Sequence, residues 1–267
     1  MLATRVLAPN PSPMTLEGTN TYLLRRPDSY KVVVVDPGPL NAVHLRRVVS
    51  LGLVEMIVLT HHHADHTQAA QRLSMITGAP VRSFDESLCV NAPSLSDGEE
   101  LIAGGIRIRV IATPGHTRDS ICIHLPDDRQ LQVSTDRGSM LTGDTILGRG
   151  TTVIAQPDGS LRDYLATLER LVDFGRTTVL PGHGPMLDDL GIIARAYLTH
   201  RRERLRNIAT TMDALRASDD EITVTRVTDL VYRDITAPVR FAAEASVKAQ
   251  LQYLMESAPL PNERRRP

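Results

Sequence analysis

The chain has no tryptophan, three phenylalanines and six tyrosines, so aromatics make up 3% of its 267 residues. That leaves few flat side chains on which nucleobases could stack. Cysteine is nearly absent too: Cys89 and Cys122 stand in unrelated contexts, which excludes a disulfide framework and a paired redox motif. Both thiols are expected to be buried and inert. The formal net charge is −1, which gives the chain as a whole no reason to coat nucleic acid or an anionic membrane. No apolar run approaches the roughly 18 to 20 residues of a membrane span. The opening stretch MLATRVLAPNPSPM also lacks the apolar centre of a signal peptide, so a cytoplasmic location is expected.

What is present is an ordinary globular composition, 42% apolar and 23% charged, cut into short β-branched runs. NTYLL, KVVVVD, MIVLT, IRIRVIA, SICIHL and TTVLPG read as strands. NAVHLRRVVSLG and HTQAAQRLSMITG read as helices closed by a glycine. GSLRDYLATLERLVDFG places Leu161, Leu165, Leu168 and Leu171 or Val172 on one helical face. Such a mixture predicts an α/β fold, sheets with helices layered outside them.

Near residue 192 the pattern turns helical, with a long helix from GIIARAY to RAS, then TVTRVTDLVYR, then VRFAAEASVKAQLQYLMES, with polar connectors that leave room for a small hairpin. From 192 onward 13 lysines and arginines face 10 acids, against 17 and 21 before it. The positive sign permits an anionic ligand over the helical part. The only basic cluster on a predicted helix is HRRERLR, 200–206, either a phosphate-contacting face or a solvated one. The ending PNERRRP, 261–267, falls within an expected disordered tail, 259–267.

The chemistry concentrates in LTHHHADHTQAA. His61, His63, Asp65 and His66 form H-x-H-x-D-H at a predicted strand end, 56–60. Imidazoles and a carboxylate at this density are costly to bury unless something pairs with them, and a divalent cation does so by taking neutral imidazole and carboxylate as ligands. His116 in ATPGHTRDS, Asp144 in MLTGDTILG and His183 in VLPGHGP each follow a glycine after an apolar step. His62 alternates away from its neighbours. His44, His124 and His200 have no partner visible in the sequence. Asn20 suits either a turn cap or the cleft lining, and Arg149 either an anionic substrate or plain solvent.

In this order, these motifs resemble the metallo-β-lactamase superfamily over roughly residues 15–190. The resemblance implies a four-layer αββα sandwich of two mixed sheets with the metal site at one edge. Residue by residue, it implies that His61, His63 and His116 hold one metal, that Asp65, His66 and His183 hold a second, and that Asp144 bridges the two. Two divalent ions about 3.5 to 4 Å apart can share a water and hold it as hydroxide for attack, with Asp65 orienting it or moving its proton. Zinc is the leading ion for imidazole-rich ligation, with manganese and iron admitted by the carboxylates.

The best known zinc β-lactamases have cysteine where this chain has Asp144, so antibiotic hydrolysis is not expected. GTNTYLL, DPGP, THHHADHT, TPGHTRDS, LTGDTILGRGTT and VLPGHGP together resemble the lactamase-beta-like-2 proteins. That implies a catalytic domain over 1–191 and a winged-helix-like domain over 192–258, and admits cleavage of single-stranded RNA as an endoribonuclease. The long arm with which transfer-RNA 3′ processing enzymes grip their substrate has no counterpart. Two alternatives stay open: a thioester hydrolase of the glyoxalase II type, and a nucleic-acid-binding module whose metal site is structural. The helical part would serve equally as a cover for the active-site mouth or as a homodimer surface.

Overall fold

The computed structural model describes residues 1–128, 136–233 and 236–257. The sequence-predicted tail, 259–267, lies outside them, as does residue 258.

Two five-stranded mixed sheets face each other. The first orders β1 (Ala3–Leu7), β2 (Asn20–Leu24), β3 (Lys31–Val35), β4 (Leu53–Val58) and β5 (Val81–Arg82) side by side. The second runs β10 (Thr178–Pro181), β9 (Ser139–Gly143), β8 (Ile121–Leu125), β7 (Ile106–Ala112) and β6 (Glu100–Ala103). β3 shows why the layers hold: side chains alternate across a strand, so Val33 and Val35 enter the core between the sheets with Ile108, Val110, Ile123 and Leu141. Val32 and Val34 face outward instead, under α1 (Ala42–Val49) and α3 (Ala70–Thr77), with Leu45, Val48 and Leu73. A strand buried on both faces must be apolar throughout, and four consecutive valines supply that.

The outer face of the second sheet is covered by α4 (Leu161–Val172) and α5 (Leu190–Ala217). Tyr164, Leu168 and Leu171 of α4 share one core cluster with Met140 and Val179 of the sheet and Tyr197, Leu198 and Leu205 of α5. The four layers are therefore helix, sheet, sheet, helix. A short helix, α2 (Ala64–Thr67), carries the remainder of the histidine motif.

Beyond the sandwich, α5 continues to meet α6 (Val224–Val231) and α7 (Ala237–Ser257), which close a small core of Ile208, Met212, Leu215, Val227, Val247 and Leu251. No strand follows β10 among the described residues, and the hairpin allowed for in the connectors does not occur there. Caps occupy the first connector: Ser218 closes α5 and the Thr223 hydroxyl accepts from the Arg226 amide to open α6. Ala249 of α7 joins the core beneath α4, so this helical part is seated on the sandwich.

No helix among the described residues is long and apolar enough to cross a membrane. Cys122 is buried, which pushes its thiol up to about 11, and Cys89 is half-buried and likewise free.

Candidate metal centre

Four strand ends deliver the polar side chains to one edge of the sandwich. His61, His63, Asp65 and His66 follow β4, His116 follows β7, Asp144 follows β9 and His183 follows β10. The sheets hold these ends rigid, and the turns after them aim the side chains. At two turns glycine is a necessity. Gly115 has φ +141°, and a Cβ there would collide with the backbone of Tyr164. A Cβ on Gly182 would lie 2.7 Å from Asp144 Oδ1 and 2.8 Å from His66 Cε1.

All seven residues singled out from the sequence meet here. Ligand-type atoms of His61, His63 and His116 lie within 4.8 Å of one another, as do those of Asp65, His66 and His183, and those of His61, His66 and Asp144. In the first cluster His63 Nδ1 stands 3.1 Å from His61 Nε2 and 3.0 Å from His116 Nε2. Around a tetrahedral ion with metal–nitrogen bonds of about 2.05 Å, such atoms would be about 3.3 Å apart. Asp144 reaches both groups with different oxygens. Its Oδ1 is 3.4 Å from Nε2 of both His66 and His183, and its Oδ2 is 3.8 Å from His116 Nε2.

The outer nitrogens fix the tautomers. His116 Nδ1 donates to the Val153 carbonyl at 2.8 Å and His183 Nδ1 to the Gly18 carbonyl at 3.2 Å, since a carbonyl only accepts. His66 Nδ1 donates to Asp36 Oδ2 at 2.8 Å. The Thr60 hydroxyl gives its proton to Asp36, so its oxygen accepts from His61 Nδ1 at 3.0 Å. Each of these four rings thus turns an unprotonated Nε2 lone pair inward when neutral, the form a metal takes.

Electrostatics divides the site. Burial pushes the His61 imidazole well below its ordinary value, and burial plus the neighbouring His116 and His62 bring His63 down to about 4. Burial would also lower His66 and His183, but Asp144 reverses the sign: His66 stands well above its ordinary value and His183 at about 9. Burial works to raise both carboxyls, yet His66 and His183 hold Asp144 well below the carboxylate range, and His183 and His66 lower Asp65. Two carboxylates are therefore balanced by two imidazole protons, a charge that one divalent cation would replace. Asp144 Oδ1 is buried without a hydrogen-bond partner, an unusual state for a carboxylate oxygen and the one expected of a ligand atom. The donor set fits a pair of divalent cations.

Asp36 is the residue the sequence reading missed. It sits 2% exposed in the left-handed region at φ +49°, and accepts from the Thr60 amide at 2.8 Å, the Thr60 hydroxyl at 2.7 Å and His66. Its signal was an acid directly after four buried valines. His62 stands aside, its Nδ1 2.8 Å from Asp119 and Nε2 3.5 Å from Asp158, although His62, His63 and Asp158 form a further ligand-type group. Asn20 braces the His183 turn by donating to the carbonyls of Pro181 and Gly184, both at 2.9 Å. Arg149 is tied to Glu17 at 2.8 Å. His44 is buried against the Thr21 hydroxyl at 3.0 Å, and His124 donates to the Arg137 carbonyl at 2.8 Å.

The centre opens into a cleft of about 360 Å³, with His63, Asp65, His116 and Asp144 at its base. Its walls are Met14, the 153–158 loop, and Phe241 and Ala245 of α7. A larger groove of about 610 Å³ lies between α1 and α3 and is lined by none of these side chains.

Residues 14–183 match the family model of the metallo-beta-lactamase superfamily. The "Beta-lactamase-like protein 2 homolog" of Caenorhabditis elegans is 33% identical over 97% of this chain and 86% of its own length. Among solved structures, a metallo-beta-lactamase family protein from Thermus thermophilus superposes with a TM-score of 0.75 at 23% identity, covering 96% of this chain and 93% of its own. TTHA1623, solved in a di-iron-bound form, gives a TM-score of 0.54 at 24% identity over 72% of this chain and 97% of its own. Family, fold and the converging histidines and aspartates lead to one conclusion: the chain belongs to the metallo-beta-lactamase superfamily and is a metal-dependent hydrolase.

Proposed function

We propose that the chain hydrolyses phosphodiester bonds in single-stranded RNA at a dinuclear centre, with residues 1–191 carrying the chemistry and 192–258 forming a winged-helix-like unit that shapes access to it. His61, His63 and His116 would hold one divalent cation, Asp65, His66 and His183 the other, and Asp144 both. The observation carrying this reading is the reach of Asp144 from one imidazole cluster to the other. Bound there, two cations supply Lewis acidity and lower the pKa of a shared water toward neutrality. The imidazole-rich donors favour zinc, while the carboxylates and the di-iron form of TTHA1623 keep iron and manganese in view.

The chain's own residues do the rest. Asp65, with its side chain 30% exposed, is the acid of the cluster most open to solvent and would accept and return the proton of the attacking water. Asp36 and the carbonyls of Val153 and Gly18 keep the imidazoles in the inward-facing tautomer. Phe241, 58% exposed at the mouth, offers a ring face to an unpaired base, the contact on which sequence-tolerant strand binding relies. The same apolar wall of Met14, Val153 and Phe241 would also receive an acyl group, on which the thioester alternative rests.

The test is cleavage of an end-labelled single-stranded RNA by wild type and Asp144→Ala, with zinc and then manganese supplied. Cleavage by the wild type alone is expected. Intact RNA combined with rapid turnover of S-lactoylglutathione would replace the phosphodiester reading with the thioester one.

A further inference from the structure

A further cavity, of about 310 Å³, lies between α5, α7 and residues 151–153, and shares Val153 with the cleft. His200, Arg201 and Arg204 line it together with Thr151, Tyr232 and Ser246, and no carboxylate does so among the described residues. The basic run on α5 is therefore split. Arg202 turns outward to Glu169 at 2.7 Å, while Arg201 and Arg204, three apart and hence neighbours on the helix, turn inward.

Arg201 is only 4% exposed. Of its five N–H groups, one donates to the Thr152 carbonyl, and its Nε has no partner at all. The guanidinium lies 5.2 Å over the Tyr164 ring, and no carboxylate among the described residues forms an ion pair with it. A buried cation without a counter-ion is costly, and the fold keeps this one. The Arg204 guanidinium carbon lies 4.7 Å from the centroid of the Tyr232 ring, again with no carboxylate paired to it among the described residues. Burial, then Arg201 and Arg204, push the His200 imidazole below its ordinary value, with Glu203 opposing them.

We propose that this cavity binds a phosphoryl anion, with the guanidinium groups of Arg201 and Arg204 supplying the charge and the Thr151 and Ser246 hydroxyls supplying further donors. Guanidinium forks match the paired oxygens of phosphate, and a tetrahedral anion accepts from several directions at once. The site is distinct from the metal centre but adjoins it. Thr152, whose carbonyl Arg201 holds, places its hydroxyl oxygen 3.0 Å from His116 Nδ1, and the next residue, Val153, takes that proton. An anion in the cavity would thus steady the strut that orients His116. Its source is either a backbone phosphate of a polynucleotide whose other end lies in the cleft, or a free phosphate ester. The inference does not depend on the RNA reading.

The experiment is calorimetric titration of the metal-loaded, full-length protein with inorganic phosphate, repeated for Arg204→Ala and Ser246→Asp. The second variant places a carboxylate beside the two cations, so it keeps or raises the melting temperature while competing with phosphate. Both variants are expected to bind phosphate about tenfold more weakly or worse, the loss of one charge-assisted contact. Phosphate binding by both variants as in the wild type would overturn the proposal, because the anion would then reside at the metals. A phosphorothioate-protected single strand distinguishes the sources. Competition with phosphate that both variants abolish identifies a backbone phosphate, and phosphate binding without such competition identifies a free ester. Because the readout is binding, an absence of RNA cleavage leaves this result standing.

Discussion

Replacing Gly182 by alanine tests the centre through a single methyl group. The backbone at Gly182 is outside the left-handed region, so alanine adopts it without strain and any effect comes from the Cβ. Ordinary contact begins at 3.4 Å, whereas that Cβ would lie 2.7 Å from Asp144 Oδ1 and 2.8 Å from His66 Cε1. The shortfalls are 0.7 and 0.6 Å. Neither neighbour yields freely, because His66 is pinned by Asp36 and Asp144 leaves directly from the end of β9. Metal sites tolerate about 0.2 Å in ligand position, and a misplacement of about 1 Å can cost about 100-fold in rate. Gly182→Ala is therefore expected to lose bound metal and about two orders of magnitude in hydrolysis. Overpacking adds about 1 to 3 kcal/mol of destabilisation. Gly78→Ala is the control: at φ +73° with nothing within 4 Å of its Cβ, it costs about 1 kcal/mol or more of backbone strain and leaves the centre alone. Metal content by plasma mass spectrometry after gel filtration, melting temperature and hydrolysis rate are measured on both. A Gly182→Ala protein with full metal content and the wild-type rate would refute the reasoning.

Asp36→Asn keeps shape and tolerates the left-handed backbone but weakens the acceptor for His66. Metal affinity, measured by chelator competition, should fall about 10- to 100-fold, and unchanged affinity would remove Asp36 from the centre. In metal-stripped protein, His183 titrates near 9 when folded and near 6.5 when unfolded, so its contribution is complete below 6.5 and lost as pH rises toward 9. His63, near 4 when folded, works the other way and destabilises as pH falls below 6.5. The melting temperature without metal should thus peak near pH 6.5 and decline on both sides, and a flat profile from 6.5 to 9 would contradict the charge balance of the site. Phe241→Ala should raise KM for single-stranded RNA about 5-fold or more, from the loss of about 1 kcal/mol or more of stacking, while metal content stays at the wild-type level. An unchanged KM in steady-state kinetics would take the ring out of substrate binding.

Much of the centre was visible in the sequence because its residues gather at the ends of β-branched runs, three of them directly after a glycine, where the chain must turn. The H-x-H-x-D-H cluster is contiguous, and His116, Asp144 and His183 repeat one local grammar. Asp36 escaped for a physical reason. DPG after a strand reads as turn chemistry, and its role exists only once residues 60 and 66 arrive from another part of the chain. The edge strands β1 and β6 escaped because each is short and largely exposed, with buried positions that do not alternate, which gives little periodicity to read. MIVLT was placed at 56–60, but the strand runs Leu53–Val58, since the parallel partner β3 pairs from Lys31 to Leu53 onward. The burial of Arg201 depended on the Tyr164 face across from it, which a charge run in sequence cannot reveal.

The cleft has two origins. Its base is built by strand ends that hold the ionic chemistry, while Phe241 and Ala245 arrive from α7, a helix that contributes no residue to the ligand-type clusters. Substitutions along the exposed turn of α7 can therefore reshape what is admitted while the catalytic apparatus keeps its geometry. Diversification of this chain, in nature or in a directed library, has its least costly route at that helix, where selectivity can drift without reactivity being rebuilt.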